Sequence, residues 1–314
     1  MTVHFWGVRG SIPTPIAPEQ VQAKILAAVE RITPRDIETQ DARTRFLATL
    51  PDWLFGSVGG NTPCVELITD RGTKFIFDAG TGIRELGIHS EPPKDFHYYL
   101  FMSHLHWDHI QGIPFWGAIY NPKAKIDVFS SMDDAEDYFS QQNSEPFFPA
   151  NARWDNVKKG FSFHTVKNYE TIYVEGVKIT AKSMKHPGGS YIYCFEDSGK
   201  KFIYATDVEL EDVDFETENE ANAIFKDADA IILDSQYNMD DAEAKKNWGH
   251  NVFYRAVDFA TAYNMKRLYL FHHEPTYSDQ KIYSMLQGAR WYAQSSEHAD
   301  IEINLAIEGQ TVEF

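Results

Sequence analysis

A chain of 314 residues that is 43% hydrophobic and 14% aromatic can bury a large core and is not a disordered segment. Its 46 acidic residues outnumber 29 basic ones, giving a formal charge of −17, and with no lysine- or arginine-rich stripe it is a poor partner for a long nucleic acid. The opening Met1 to Gly7 lacks the basic start and apolar core of a signal peptide, and no apolar run is long enough to span a bilayer, so the expectation is a cytoplasmic protein with no membrane partner.

In chain order, Pro18 to Phe55 comes first as a helical insertion at about 18–55. It holds an amphipathic stretch, Val21–Arg31, with apolar residues at 21, 25, 26, 28 and 29, and a second helical stretch from Asp41 to Leu50. A lid, a homodimer contact and plain decoration all fit that segment. Val65–Thr69 and Lys74–Asp78 follow as strands around the turn Asp70-Arg71-Gly72. Further strands are expected at Tyr98–Met102, Lys125–Phe129, Thr171–Val174, Val177–Ala181, Tyr191–Glu196, Lys201–Ala205, Ala230–Leu233, Arg267–Phe271 and Ile301–Leu305.

Gln141 to Lys159, with Phe147, Phe148 and Trp154, reads as an aromatic-rich loop walling a substrate pocket, the alternative being a small packing cluster. Asn251–Tyr263 has apolar residues at helical spacing, at 252, 253, 256, 257 and 260. Many strands with a few interleaved helices favour a layered α/β sandwich, here one domain over 1–314. Cys64 and Cys194, both in strand-like surroundings, read as reduced core thiols, with a disulfide between them left open.

The densest chemistry lies at Ser103-His104-Leu105-His106-Trp107-Asp108-His109, an H-x-H-x-D-H cluster where an apolar strand gives way to a turn. Imidazoles and a carboxylate at this spacing form a metal site, suited to zinc first and to manganese or iron as alternatives. Three later residues repeat the design of a strand followed by a ligand type. They are His186 in His186-Pro187-Gly188-Gly189, Asp207 after Phe202-Ile203-Tyr204-Ala205-Thr206, and His272 after Leu268-Tyr269-Leu270-Phe271. His4, His89, His97, His164 and His298 lack ligand spacing and read as structural or surface residues.

In this order the residues resemble the metallo-β-lactamase-fold hydrolases. They resemble in particular the phosphodiesterase branch, which includes the tRNA 3′-processing endonucleases and cyclic-phosphodiester hydrolases. The blocks Phe5-Trp6-Gly7-Val8-Arg9-Gly10-Ser11-Ile12-Pro13 and Gly59-Gly60-Asn61-Thr62-Pro63-Cys64 are similar to that branch as well. The resemblance implies a four-layer αββα sandwich with two divalent metal ions at one edge of the sheets. His104, His106 and His186 would hold the first metal, Asp108, His109 and His272 the second, and Asp207 would bridge them. His273 competes with His272, which is chosen because it directly follows the last apolar residue of the strand. Asp78 looks like the superfamily's aspartate that orients ligands without binding metal.

Two divalent cations can activate a water and offset phosphodiester charge, so no serine or cysteine nucleophile is required. His250, in Trp248-Gly249-His250-Asn251 just before a helix, is the candidate for phosphate contact or proton transfer. The processing enzymes carry a His-Glu-Ala-Thr-type segment upstream, where this chain has Asp234-Ser235-Gln236-Tyr237, so the resemblance leaves that branch's acid/base pair incomplete. Insertions that are neither glycine-rich nor basic, with the acidic charge, point to a small and cyclic phosphodiester such as a cyclic nucleotide. The alternatives are a thioester, lactone or lactam hydrolase of the same fold, and a non-catalytic, metal-stabilised nucleotide-binding module.

Overall fold

The computed structural model describes residues 1–242, 244–245, 247–296 and 300–314. Its strands in the amino-terminal half are β1 (Thr2–Gly7), β2 (Cys64–Ile68), β3 (Lys74–Phe77), β4 (His97–Phe101), β5 (Lys125–Ser130) and β6 (Phe161–Thr165). Those that follow are β7 (Thr171–Val174), β8 (Val177–Met184), β9 (Ser190–Asp197), β10 (Lys200–Ala205), β11 (Ala230–Asp234), β12 (Arg267–Phe271), β13 (Glu302–Leu305) and β14 (Thr311–Glu313). They form two seven-stranded sheets, ordered β14-β1-β2-β3-β4-β5-β6 and β13-β12-β11-β10-β9-β8-β7. Neighbours from β3 to β6 are parallel, and so are those from β10 to β13.

Burial follows from the layering. Every residue of β11 is buried, because a strand covered on both faces needs no polar side. Between the sheets lies an aromatic layer in which the Phe77 ring meets Phe195 at 5.0 Å and Tyr204 at 4.8 Å. The helices Phe253–Ala262 and Asp279–Ser295 press Val257, Phe259, Ile282 and Leu286 onto the outer face of the second sheet. Helix Gly82–His89 presses Ile83 and Leu86 onto the outer face of the first. The result is the helix, sheet, sheet, helix sandwich expected from the sequence. Cys64 and Cys194 are free and buried in the outer cores of different sheets, which rules out a bridge between them. Among the described residues no helix is long and apolar enough to cross a membrane.

The segment expected as a helical insertion comprises helices Pro18–Val29, Pro34–Ile37, Gln40–Thr49 and Asp52–Phe55. The apolar stripe of the first does not turn inward: Ile25 and Leu26 are each 60% exposed. What faces the body is Lys24, whose Nζ donates to Asp279 Oδ2 at 2.6 Å and to the carbonyls of Trp53 and Gly56. Residues 141–159 also differ from the expected pocket wall. They contain the helical turns Ala150–Ala152, Trp154–Val157 and Lys158–Gly160. Trp154 is 4% exposed and sits 4.9 Å from Phe161 and 6.0 Å from Phe139, so it belongs to a packing cluster and cannot stack a base. Phe148 meets Phe115 at 5.7 Å, and Phe147 is left exposed.

Candidate metal centre

Side chains with chemistry converge where strands end. Asp78 follows β3, the His104–His109 segment follows β4, His186 follows β8, Asp207 follows β10, Asp234 closes β11 and His272 follows β12. The carboxyl ends of parallel strands are where open α/β sheets place ligands. Three of these residues, Asp78 (φ 56°), Asp207 (φ 51°) and His272 (φ 61°), have left-handed backbones. That conformation costs an L-residue about 1–2 kcal/mol, and here it swings each side chain sharply off its strand toward a common point.

Two groups of donors result, sharing one carboxylate. His104, His106, His186 and Asp207 form the first, and Asp108, His109, Asp207 and His272 the second, with ligand atoms in each group within 4.8 Å of one another. Asp207 Oδ2 lies 3.6 Å from His104 Nε2 and 3.7 Å from His186 Nε2. Its Oδ1 lies 3.2 Å from His109 Nε2 and 3.1 Å from His272 Nε2. Asp108 Oδ2 is 3.3 Å from both His109 Nε2 and His272 Nε2, and accepts the Ser11 amide at 2.8 Å.

The outer nitrogens explain why the inner ones point inward. Asp78, fully buried, accepts His109 Nδ1, Ser103 Oγ and Tyr204 OH on Oδ2 and the Ser103 amide on Oδ1, all at 2.8 Å. His186 Nδ1 donates to the Gly249 carbonyl at 2.9 Å. Each such bond fixes a tautomer and leaves the opposite nitrogen as a lone-pair donor. His273 turns away, its Nε2 donating to the Ala306 carbonyl at 2.9 Å, so of the two neighbours only His272 faces the carboxylates.

Charge is divided accordingly. Burial holds the His104 pKa well below the ordinary histidine value, and the positive charge of His109 adds to the effect. Burial lowers those of His106 and His186 as well. Neutral imidazoles are the form that binds a cation. Burial also works against charge on His109, yet Asp207, Asp108 and Asp78 together push its pKa well up, and a cation bound there would take the place of the Nε2 proton. Burial opposes ionisation of Asp207, but His272, His109 and His104 keep it well below the usual carboxylate range.

The donor set fits two divalent cations. His104 Nε2, His109 Nε2 and His272 Nδ1 are buried without a hydrogen-bond partner, a state that costs about 1–3 kcal/mol per group. For the two Nε2 atoms a cation supplies the missing partner. Three imidazoles with a carboxylate, and two imidazoles with two carboxylates, suit zinc, manganese or iron.

A third constellation lies against the second group. His250 Nδ1 donates to Asp234 Oδ2 at 2.6 Å, while Asp234 Oδ1 accepts the Asn251 amide at 3.0 Å. Burial works against a charged His250, but Asp234 overcomes it and pushes the pKa up to about 9. The His250 ring stacks on His272 at 4.9 Å and lies 5.3 Å from His186. The segment that departs from the His-Glu-Ala-Thr pattern thus still places a carboxylate, that of Asp234, on His250. The signal was available, since Asp234 ends an apolar strand much as Asp78 and Asp207 follow theirs.

The remaining histidines sit elsewhere. His4 stacks on Trp6 at 3.9 Å, and His89 is exposed beside Glu85. His97 and His164 share the carboxylate of Asp127. His298 lies outside the described residues.

Comparison with known proteins agrees with this architecture. The family described as the beta-lactamase superfamily domain matches residues 73–273. The structure is similar to the metallo-beta-lactamase fold protein YhfI from Bacillus subtilis, with a TM-score of 0.66 and 15% identity over 100% of this chain and 98% of that one. It is similar to the short form of human tRNase Z, with a TM-score of 0.62 and 16% identity over 100% and 99% of the two chains. A diphosphatase from the PhnP family gives a TM-score of 0.61 and 16% identity over 100% and 97%. No curated protein matches the chain. With its two sheets, its strand-end donors and a family match over more than half its length, the chain belongs to the beta-lactamase superfamily, in the metallo-beta-lactamase fold.

Proposed function

We propose that this protein is a dinuclear metal-dependent phosphodiesterase that hydrolyses a small, cyclic phosphodiester such as a cyclic nucleotide, with zinc as the first candidate metal, in the cytoplasm. The observation that carries the reading is the buried Asp234–His250 pair set beside two donor groups that share Asp207. When bound, two divalent cations supply Lewis acidity and an acidic water. The chain supplies the rest. Asp234 holds His250 Nδ1 and favours the protonated ring, which leaves Nε2–H to donate to the departing oxygen. Asp207 and Asp108, kept ionised, would hold the cations, and Asp78 fixes the ring of His109.

Two fold relatives are named for phosphorus–oxygen chemistry, a tRNase Z and a diphosphatase. The charge of −17 and the absence of a basic or glycine-rich insertion in the sequence favour a small substrate over tRNA here. The test is metal analysis followed by assays of bis(4-nitrophenyl) phosphate, 3′,5′- and 2′,3′-cyclic nucleotides, a thioester and a lactone. Two bound metals with turnover of diesters support the reading. Two bound metals with turnover of the thioester or lactone alone would overturn it.

A further inference from the structure

His250 has a second neighbourhood. It also lines a cleft of about 550 Å³ open to solvent, whose lining includes no residue of the two donor groups that share Asp207. Leu210, Tyr237 and Val252, all nearly buried, form the apolar part of its lining, to which Met239 and Tyr254 add. Tyr237 stands edge-on to the His250 ring, with centroids 5.8 Å apart. If His250 gives its proton to the departing oxygen, the cleft it lines receives the group that oxygen carries. This step rests on the phosphodiesterase reading above.

Electrostatics decides what that group is. Lys185 is engaged by Glu209 at 3.1 Å and Glu211 at 3.2 Å. Arg255 is engaged by Asp212 at 3.4 Å and the Leu210 carbonyl at 3.1 Å. Lys245 is engaged by Glu274 at 3.0 Å and lies 4.6 Å from the centre of the Tyr237 ring. Among the described residues of the lining, every lysine and arginine thus has an acidic neighbour within 3.4 Å, although the buried Nε of Arg255 has no partner. A second phosphate entering the cleft would have to compete with Glu209, Glu211, Asp212 and Glu274 for these cations.

We infer that the cleft beside His250 holds the leaving group of the substrate and takes an uncharged, ring-bearing alcohol, a nucleoside with no further phosphate. The apolar lining accepts the ring, and the paired charges exclude a second anion. Diesters whose departing side carries a phosphate are then poor substrates, which separates this enzyme from one that trims nucleic-acid ends bearing phosphates.

The experiment compares two dinucleoside monophosphates on the metal-loaded enzyme. They are identical except for a terminal phosphate on the nucleoside that departs. The plain compound is expected to have a kcat/KM about tenfold higher, from a few weak, partly screened repulsions. In a protein carrying Glu211→Lys and Asp212→Lys, both at exposed positions, the ratio measured within that variant is expected to shrink to about threefold or less. Equal use of the two compounds by the wild type, or an unchanged ratio in the variant, overturns the cleft assignment alone. Turnover of cyclic nucleotides with none of either dinucleoside compound also overturns the cleft assignment alone, whereas failure on these compounds, bis(4-nitrophenyl) phosphate and the cyclic nucleotides alike overturns the phosphodiesterase reading, and the cleft assignment falls with it.

Discussion

Replacing Asp234 by Asn keeps a side chain of the same size against His250 but removes the charge. The contact is short, 2.6 Å, and the two side chains are 0% and 10% exposed, so solvent does little to weaken it. A charge-assisted hydrogen bond of this kind contributes about 1.5–3 kcal/mol, which at about 1.4 kcal/mol per decade is one to two orders of magnitude in rate. His250→Ala should cost more, about 10²- to 10⁴-fold, the range for a positioned general acid. Because Asp234 acts through His250, the double variant should be no slower than His250→Ala alone. Steady-state kcat on a 3′,5′-cyclic nucleotide and on bis(4-nitrophenyl) phosphate provides the assay, with metal content measured on the same samples. The penalty should be larger on the cyclic nucleotide, whose alkoxide leaving group needs a proton more than nitrophenolate does. Metal content should stay at two, since Asp234 lies 3.8 Å from the outer nitrogen of His272 and not beside the nitrogen facing Asp207. Full activity in Asp234→Asn, additive losses in the double variant, or loss of a metal would each refute the reasoning.

Other outcomes follow from the same geometry. Gly249→Ala should lower stability by roughly 2–5 kcal/mol, seen by denaturant titration, and weaken metal binding at the first group. Its φ is +90°, and the new Cβ would lie 2.2 Å from His186 Nδ1. Asp78→Ala strands His109 Nδ1, Ser103 and the Tyr204 hydroxyl in the core. A loss of at least about 3 kcal/mol and a weakened second metal should appear together in calorimetry and metal analysis. Trp154→Ala should cost about 3–5 kcal/mol yet leave KM for the diester unchanged, as befits a ring in a packing cluster. Asp108→Ala should selectively release one of two metals, and equal retention of both would count against its place in the second group.

Much of this was legible in the sequence because rigid strands and their polar ends leave strong local patterns. β4, β10 and β12 announce themselves by apolar runs and β5 and β8 by alternation, and four of the six strand-end segments of the site could be read from ligand types just past such strands. Asp234 was visible as a residue but not as a partner, because its role comes from contact with His250 across a turn. β6 and β14 escaped for a different reason. β6 is an exposed edge strand with Ser162, His164 and Thr165 facing solvent, and β14 is three residues long, so neither carries a strong apolar signature. Helix Pro18–Val29 shows the opposite failure, a periodic apolar pattern that suggests burial in a helix that buries no residue.

The chain enters its helical insertion at Thr14 and returns at Gly60, and the amide of one donates to the carbonyl of the other at 2.7 Å. Ser11, whose amide holds Asp108, lies before that junction, as does Gly10, whose backbone lies so close to His272 that a Cβ there would come within 2.7 Å of its ring. The junction therefore works as a collar. A change in the segment beyond it leaves the two ends joined and the loop touching the donor groups in place. That makes this a natural port for engineering a new specificity onto an unaltered centre.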